Sequence, residues 1–196
     1  MGIGVWLEEL RLWCAGRRWT TRLPILVWMS YLLVRHLADP EYQGLIKPLN
    51  LGIHELGHFV FMPFGEFLSV LGGSLFQLLV PVISIFMFWR QADFFAIAFA
   101  LGWLGTNFFD IATYIGDAQA MALPLVSPFG GEGAIHDWNY LLTRLDRLEA
   151  CRGIAGAVRF TGVFFLLAGV AAGGWLLWWM FRQRRSEPVE GGFEEL

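Results

Sequence analysis

His54-Glu55-Leu56-Gly57-His58 is the arrangement in this chain with the clearest chemical meaning. On a helix, His54 and His58 lie one turn apart on the same face, and both can present an imidazole nitrogen to one zinc ion. Glu55 stands beside them. A carboxylate there is the residue type needed to take a proton from a water whose pKa zinc lowers from about 15.7 towards ~7. At this chain's own His and Glu frequencies, a chance His-Glu-x-x-His has a probability of roughly 0.5%, so the spacing is informative. The surroundings are apolar, and an ionisable group in an apolar span costs on the order of 3 kcal/mol on insertion scales, so such groups usually have a partner or a task. The bland alternative is a polar cluster that only ties helices together.

The elements that must position these residues belong to a membrane protein. Of 196 residues, 56% are hydrophobic and 16% charged, with a mean hydropathy of +0.53. Ten Trp and eighteen Phe, several at the ends of apolar runs (Trp89, Trp178, Trp179), suit interfacial aromatic belts. A net charge of −3 and a single Lys, Lys47, exclude the basic footprint of a nucleic-acid binder. Cys14 and Cys151 have no metal or redox spacing and read as two unpaired thiols.

The pattern predicts an all-α, polytopic membrane helix bundle of about five transmembrane helices, at roughly 23–37, 49–68, 69–89, 94–116 and 160–181. An interfacial amphipathic helix (1–20) precedes the bundle (21–182), which carries a polar loop (118–158). A disordered tail (183–196) follows. Glu8 and Glu9 spoil a signal-peptide n-region, and no small-residue cleavage site follows the first apolar run. The His54 segment spans the bilayer or dips in and returns. Lys and Arg divide almost evenly between the two sides; a bacterial inner membrane with a cytoplasmic N-terminus is the expected setting.

With the motif in an apolar helix, the chain resembles the site-2 protease family of intramembrane zinc metalloproteases over about residues 50–131. His54, Glu55 and His58 match that family's first core helix residue for residue. Gly72-Gly73-Ser74-Leu75-Phe76-Gln77 is similar to its second motif, with Gln77 where the family has a substrate-contacting Asn. The third motif departs: in the stretch from Leu123 to Gly131, Phe129 stands where the family's Asp ligand would be. The resemblance implies a zinc-dependent peptidase working on membrane-embedded substrates.

Another ligand must then complete the zinc site. Asn107, Asp110, Tyr114 and Asp117 recur at helical spacing and put a polar stripe on one face of the fourth run. Asp117 or Asp110 could supply the ligand, the other orienting a histidine. His136 is the other candidate, carried by a loop whose Gly130, Gly131 and Gly133 could form a lid. Asp117 also reads simply as a helix end, and Asp137 as the N-cap of an amphipathic helix. The reading is a zinc hydrolase in the membrane, with Glu55 as base, His54, His58, His136 and Asp117 as metal ligands, and Gln77, Asn107, Asp110 and Tyr114 near substrate. Its partners are the bilayer and a peptide or lipid-like substrate. An intramembrane protease is the main expectation; the alternatives are a membrane amidase or lipid hydrolase, or a non-enzymatic metal-binding module.

Overall fold

The computed structural model describes residues 3–124 and 135–186, and every regular element among them is helical. In chain order these are α1 (Ile3–Cys14), α2 (Leu23–Ala38), α3 (Lys47–Phe61), α4 (Glu66–Arg90), α5 (Phe94–Gly116), α6 (Asp137–Arg144) and α7 (Cys151–Ser186). The expected lid glycines and most of the expected tail lie outside the described residues.

Among the described residues three helices, α4, α5 and α7, are long and apolar enough to cross a membrane, which corrects the expectation of five. The physical reason is length. At ~1.5 Å per residue, the 16 residues of α2 and the 15 of α3 cover about 24 and 22 Å, short of a ~30 Å hydrocarbon layer. The apolar run that continues past α3 is broken at Pro63, which lacks the N–H to extend the helix, and a 3-10 turn (Met62–Phe64) follows. By contrast α7 starts nine residues before the expected position 160, at Cys151.

The spine is the pairing of α5 with α7. A side chain at Gly105 would put its Cβ 2.6 Å from the Leu166 backbone nitrogen, so the two backbones meet through small residues, as membrane helices without a hydrophobic drive tend to do. At one end of this spine α1 packs Leu10 and Cys14 against Phe95, Leu176, Leu177 and Met180. Along its flank α2 packs Leu32 onto Phe109 and Leu166, and stacks His36 flat on Phe109 at 4.3 Å. Burial, with Arg159 nearby, lowers His36 to about 4, so this histidine is a neutral packing element.

A tight turn reverses the chain between α4 and α5, with Asp93 capping α5 by accepting from the Ala96 N–H at 3.2 Å. The start of α4 and the end of α5 therefore share one end of the bundle. There α3 lies against the first turns of α4, and α6 closes over them.

Candidate metal centre

The site is assembled from α3 upward. Its histidines stand one turn apart with ring centroids 4.9 Å from each other. The backbones of α3 and α4 touch: a Cβ on Gly57 would collide with the Gly72 carbonyl, and one on Gly72 would lie 2.6 Å from the Phe61 Cβ. This close approach slides Gly73 beneath the two imidazoles. A Cβ there would stand 2.6 Å from His54 Nε2 and 2.7 Å from His58 Nε2, occupying the space onto which both nitrogens converge.

Neighbouring carbonyls set the tautomers. His58 Nδ1–H donates to the Ser69 carbonyl at 2.9 Å, and His54 Nδ1–H donates to Gln77 Oε1 at 3.0 Å. Both contacts come from α4, and Ser69 Oγ–H returns a bond to the His58 carbonyl at 3.0 Å. With Nδ1 protonated in each ring, the neutral form leaves a lone pair on each Nε2. These lone pairs face a third acceptor, Asp137 Oδ2, at 2.9 Å from His54 Nε2 and 3.3 Å from His58 Nε2. Three atoms able to bind a cation thus converge in one buried site, and two imidazoles and a carboxylate are a donor set that zinc accepts. Ligand-capable atoms of His54, Glu55 and His58 also lie within 4.8 Å of one another. The residues present fit a divalent metal.

The electrostatics agree with that convergence. Burial alone would raise the Asp137 carboxyl, but its bonds to His54 and His58 outweigh burial and hold it below its ordinary range. Burial would likewise lower His58, yet the Asp137 carboxylate prevails and raises it. Glu55 is raised by burial, against the pull of both histidines.

Asp137 is the first residue of α6 and is fixed from several sides. Its N–H donates to Tyr114 Oη at 3.1 Å, Trp138 Nε1–H donates to Ser74 Oγ at 3.1 Å, and Asn139 Nδ2–H donates to the Ala118 carbonyl at 2.8 Å. His136, not Asp137, caps α6: its Nδ1 accepts from the Asn139 N–H at 3.2 Å. The opposite nitrogen of His136 faces Asp117 Oδ2 at 3.3 Å, so both ring nitrogens are engaged in holding α6. Asp117 in turn accepts from the Ala122 and Leu123 N–H groups, each at 3.0 Å, which places it in the turn after α5.

The remaining stripe residues separate. Tyr114 and Asp110 line a cavity that also includes His54, Glu55 and His58, whereas Asn107 is fully buried and donates to the Trp103 carbonyl of its own helix at 2.8 Å. Ser69, Ser74 and Asn50 join the arrangement without having been singled out in the sequence. Their types are common in helix contacts, and only the packing reveals them: Ser69 through α3 on α4, Ser74 through α6, and Asn50 through α5.

No protein-family model matches the chain, and comparison with curated proteins and with solved structures finds no match. The expected place among the site-2 proteases is corrected by the fold itself. His54, Glu55 and His58 sit on a 15-residue helix that is not one of the three membrane-crossing helices, so the motif is not buried in a transmembrane core helix as an intramembrane protease requires.

One prediction arises from the glycine cradle. Gly73→Ala is expected to lower zinc affinity by about 10- to 100-fold, the scale on which displaced ligand geometry acts, while the bundle still assembles. Competition titration against a chromophoric chelator measures it, and unchanged affinity would show that the imidazoles do not converge above this residue.

Proposed function

We propose that the chain is a membrane-anchored zinc hydrolase that cuts an amide or ester bond of an acyl lipid at one end of its helix bundle. The observation that carries this reading is a cavity of about 1170 Å³ that includes His54, Glu55, His58 and Asp137 and continues along Trp28, Leu51, Phe59, Met62 and Ile111. A polar, metal-competent pole joined to an apolar and aromatic trough matches a polar headgroup junction with an acyl chain attached. Leu49, Leu56 and Val60 on α3 are exposed, which supports a helix lying against lipid with its motif turned inward.

His54, His58 and Asp137 would hold zinc, which when bound supplies Lewis acidity and an acidified water. The chain's own groups do the rest. Gln77 and the Ser69 carbonyl keep both imidazoles in the ligating tautomer and orientation. Glu55, half-buried and not on the helical direction shared by the histidines, takes the proton from the attacking water and returns it to the leaving amine or alkoxide. Tyr114 lines the cavity next to Asp137 and is placed to donate to the developing oxyanion. A second reading, a metal-binding module without turnover, draws on the short mutual distances of His54, Glu55 and His58, which would let Glu55 serve as a ligand.

Purified protein in lipid nanodiscs is expected to carry about one zinc per chain by elemental mass spectrometry. It should hydrolyse acyl amides or acyl esters in a matched lipid panel and leave transmembrane peptides uncut. Protein that is metal-free and unable to bind added zinc would end the proposal, as would zinc-loaded protein inert towards every acyl lipid.

A further inference from the structure

The same cavity wall carries a second polar feature that the chemistry above does not use. Asp110, on α5, lines the cavity, and its Oδ2 accepts from Asn50 Nδ2–H at 2.7 Å. Asn50 is itself held, since its Oδ1 accepts from Trp103 Nε1–H at 2.8 Å. Asn50 is 1% exposed, so the relay is locked by packing before any ligand arrives. No other hydrogen bond to the Asp110 carboxylate is present among the described residues, and Lys47, at the start of α3, lines the same cavity.

The position is set by helix geometry on both sides. Asn50 precedes His54 by one turn of α3, and Asp110 precedes Tyr114 by one turn of α5. Along the two helix axes the carboxylate is therefore offset from the His54 and Tyr114 level by about one turn, a rise of about 5.4 Å. We infer that Asp110 is the headgroup-recognising residue, accepting a hydrogen bond from a hydroxyl of the bound lipid, so that the substrate is a hydroxyl-bearing acyl lipid. Lys47 decides between hydroxyl and ammonium. With Lys47 lining the same cavity, a cationic headgroup meets a like charge there, whereas a neutral hydroxyl donates to Asp110 without that repulsion. Holding one oxygen with Asn50 is the support expected of a recognition group, because a pre-ordered acceptor loses little freedom when the ligand binds.

This inference rests on the lipid-hydrolase reading but is tested without turnover. The probes are radiolabelled 1-O-dodecylglycerol and its di-O-methyl ether, which has the same chain but no hydroxyl to donate. Their binding to zinc-loaded protein in nanodiscs is measured for wild type, Asp110→Leu and Asp110→Asn. Wild type is expected to prefer the free diol about tenfold or more, the range for a hydrogen bond to a charged group. Asp110→Leu should bind both ethers equally, and Asp110→Asn, a neutral acceptor of the same shape, should keep a reduced preference. Zinc content should be unchanged in both variants. No preference in wild type, or full preference in Asp110→Leu, overturns the assignment; if Asp110→Leu does not assemble, full preference in Asp110→Asn overturns it instead. The two readings fail differently: absent zinc or Glu55-independent turnover strikes the hydrolase, whereas lost diol preference in a zinc-loaded, active protein strikes only the role of Asp110.

Discussion

Asp137→Ala is expected to weaken zinc binding by roughly two to three orders of magnitude while leaving α3, α4 and α5 assembled. Structural zinc sites in zinc-finger peptides bind with about 10–16 kcal/mol, which sets the scale of one ligand among three or four at about 3 kcal/mol or more. Asp137→Ala also removes the carboxylate that raises His58. In the metal-free protein a raised His58 holds a proton at Nε2 that zinc must displace, so affinity falls as pH drops through that raised pKa. In Asp137→Ala the remaining pH dependence should move to lower pH, because His58 loses the partner that favours its charged form. Elemental analysis and chelator competition across pH 5–8 measure both effects. A variant that binds zinc as wild type does would remove Asp137 from the ligand set.

Glu55→Gln separates a hydrolase from a metal-binding module. The amide keeps the size and the half-buried position of the carboxylate but cannot accept a proton, and general-base assistance is worth ~10²- to 10⁴-fold. Turnover of the proposed acyl-lipid substrate is therefore expected to fall by about that factor with zinc content unchanged. The nearest other carboxylates do not offer a substitute: Asp137 faces both imidazoles, and Asp110 is bonded to Asn50 one turn away. Loss of zinc in Glu55→Gln would instead make Glu55 a ligand and favour the module. Measuring metal and rate on the same preparation distinguishes the outcomes.

The pair of histidines and Glu55 were legible because their chemistry is local, confined to five consecutive residues on one helix. Asp137 was not, although it lies closer to His54 than any other carboxylate oxygen described. It is 83 residues away in the chain, and an Asp at the start of an amphipathic helix reads first as a cap. The cap is His136 instead, and a second cap-competent residue directly after it is the signal that could have freed Asp137 for another task. Helical spacing groups Asn107, Asp110, Tyr114 and Asp117 as a stripe, but periodicity cannot say which member meets which neighbour. Asp110 and Tyr114 face the cavity, Asp117 turns into the loop, and Asn107 bonds within its own helix. The spans α4, α5 and α7 followed from long uninterrupted apolar runs. The runs at 23–37 and 49–68 give shorter helices, ended by the polar residues near Asp39 and by Pro63, and the second run also carries Asn50, His54, Glu55, His58 and Glu66.

The separation of Asp137 from the motif also sets an order of events during synthesis. Chains fold from the N-terminus as they emerge, so α3 and α4 can dock through Gly57 and Gly72 while α6 has yet to be made. At that stage the nascent protein has two imidazoles and Glu55 but lacks the Asp137 carboxylate that meets both rings. The centre becomes whole only when α6 arrives, seated by Trp138 on Ser74 and by Asn139 on the Ala118 carbonyl. A half-translated chain in the membrane thus carries the motif without the carboxylate that would complete a metal-competent cluster.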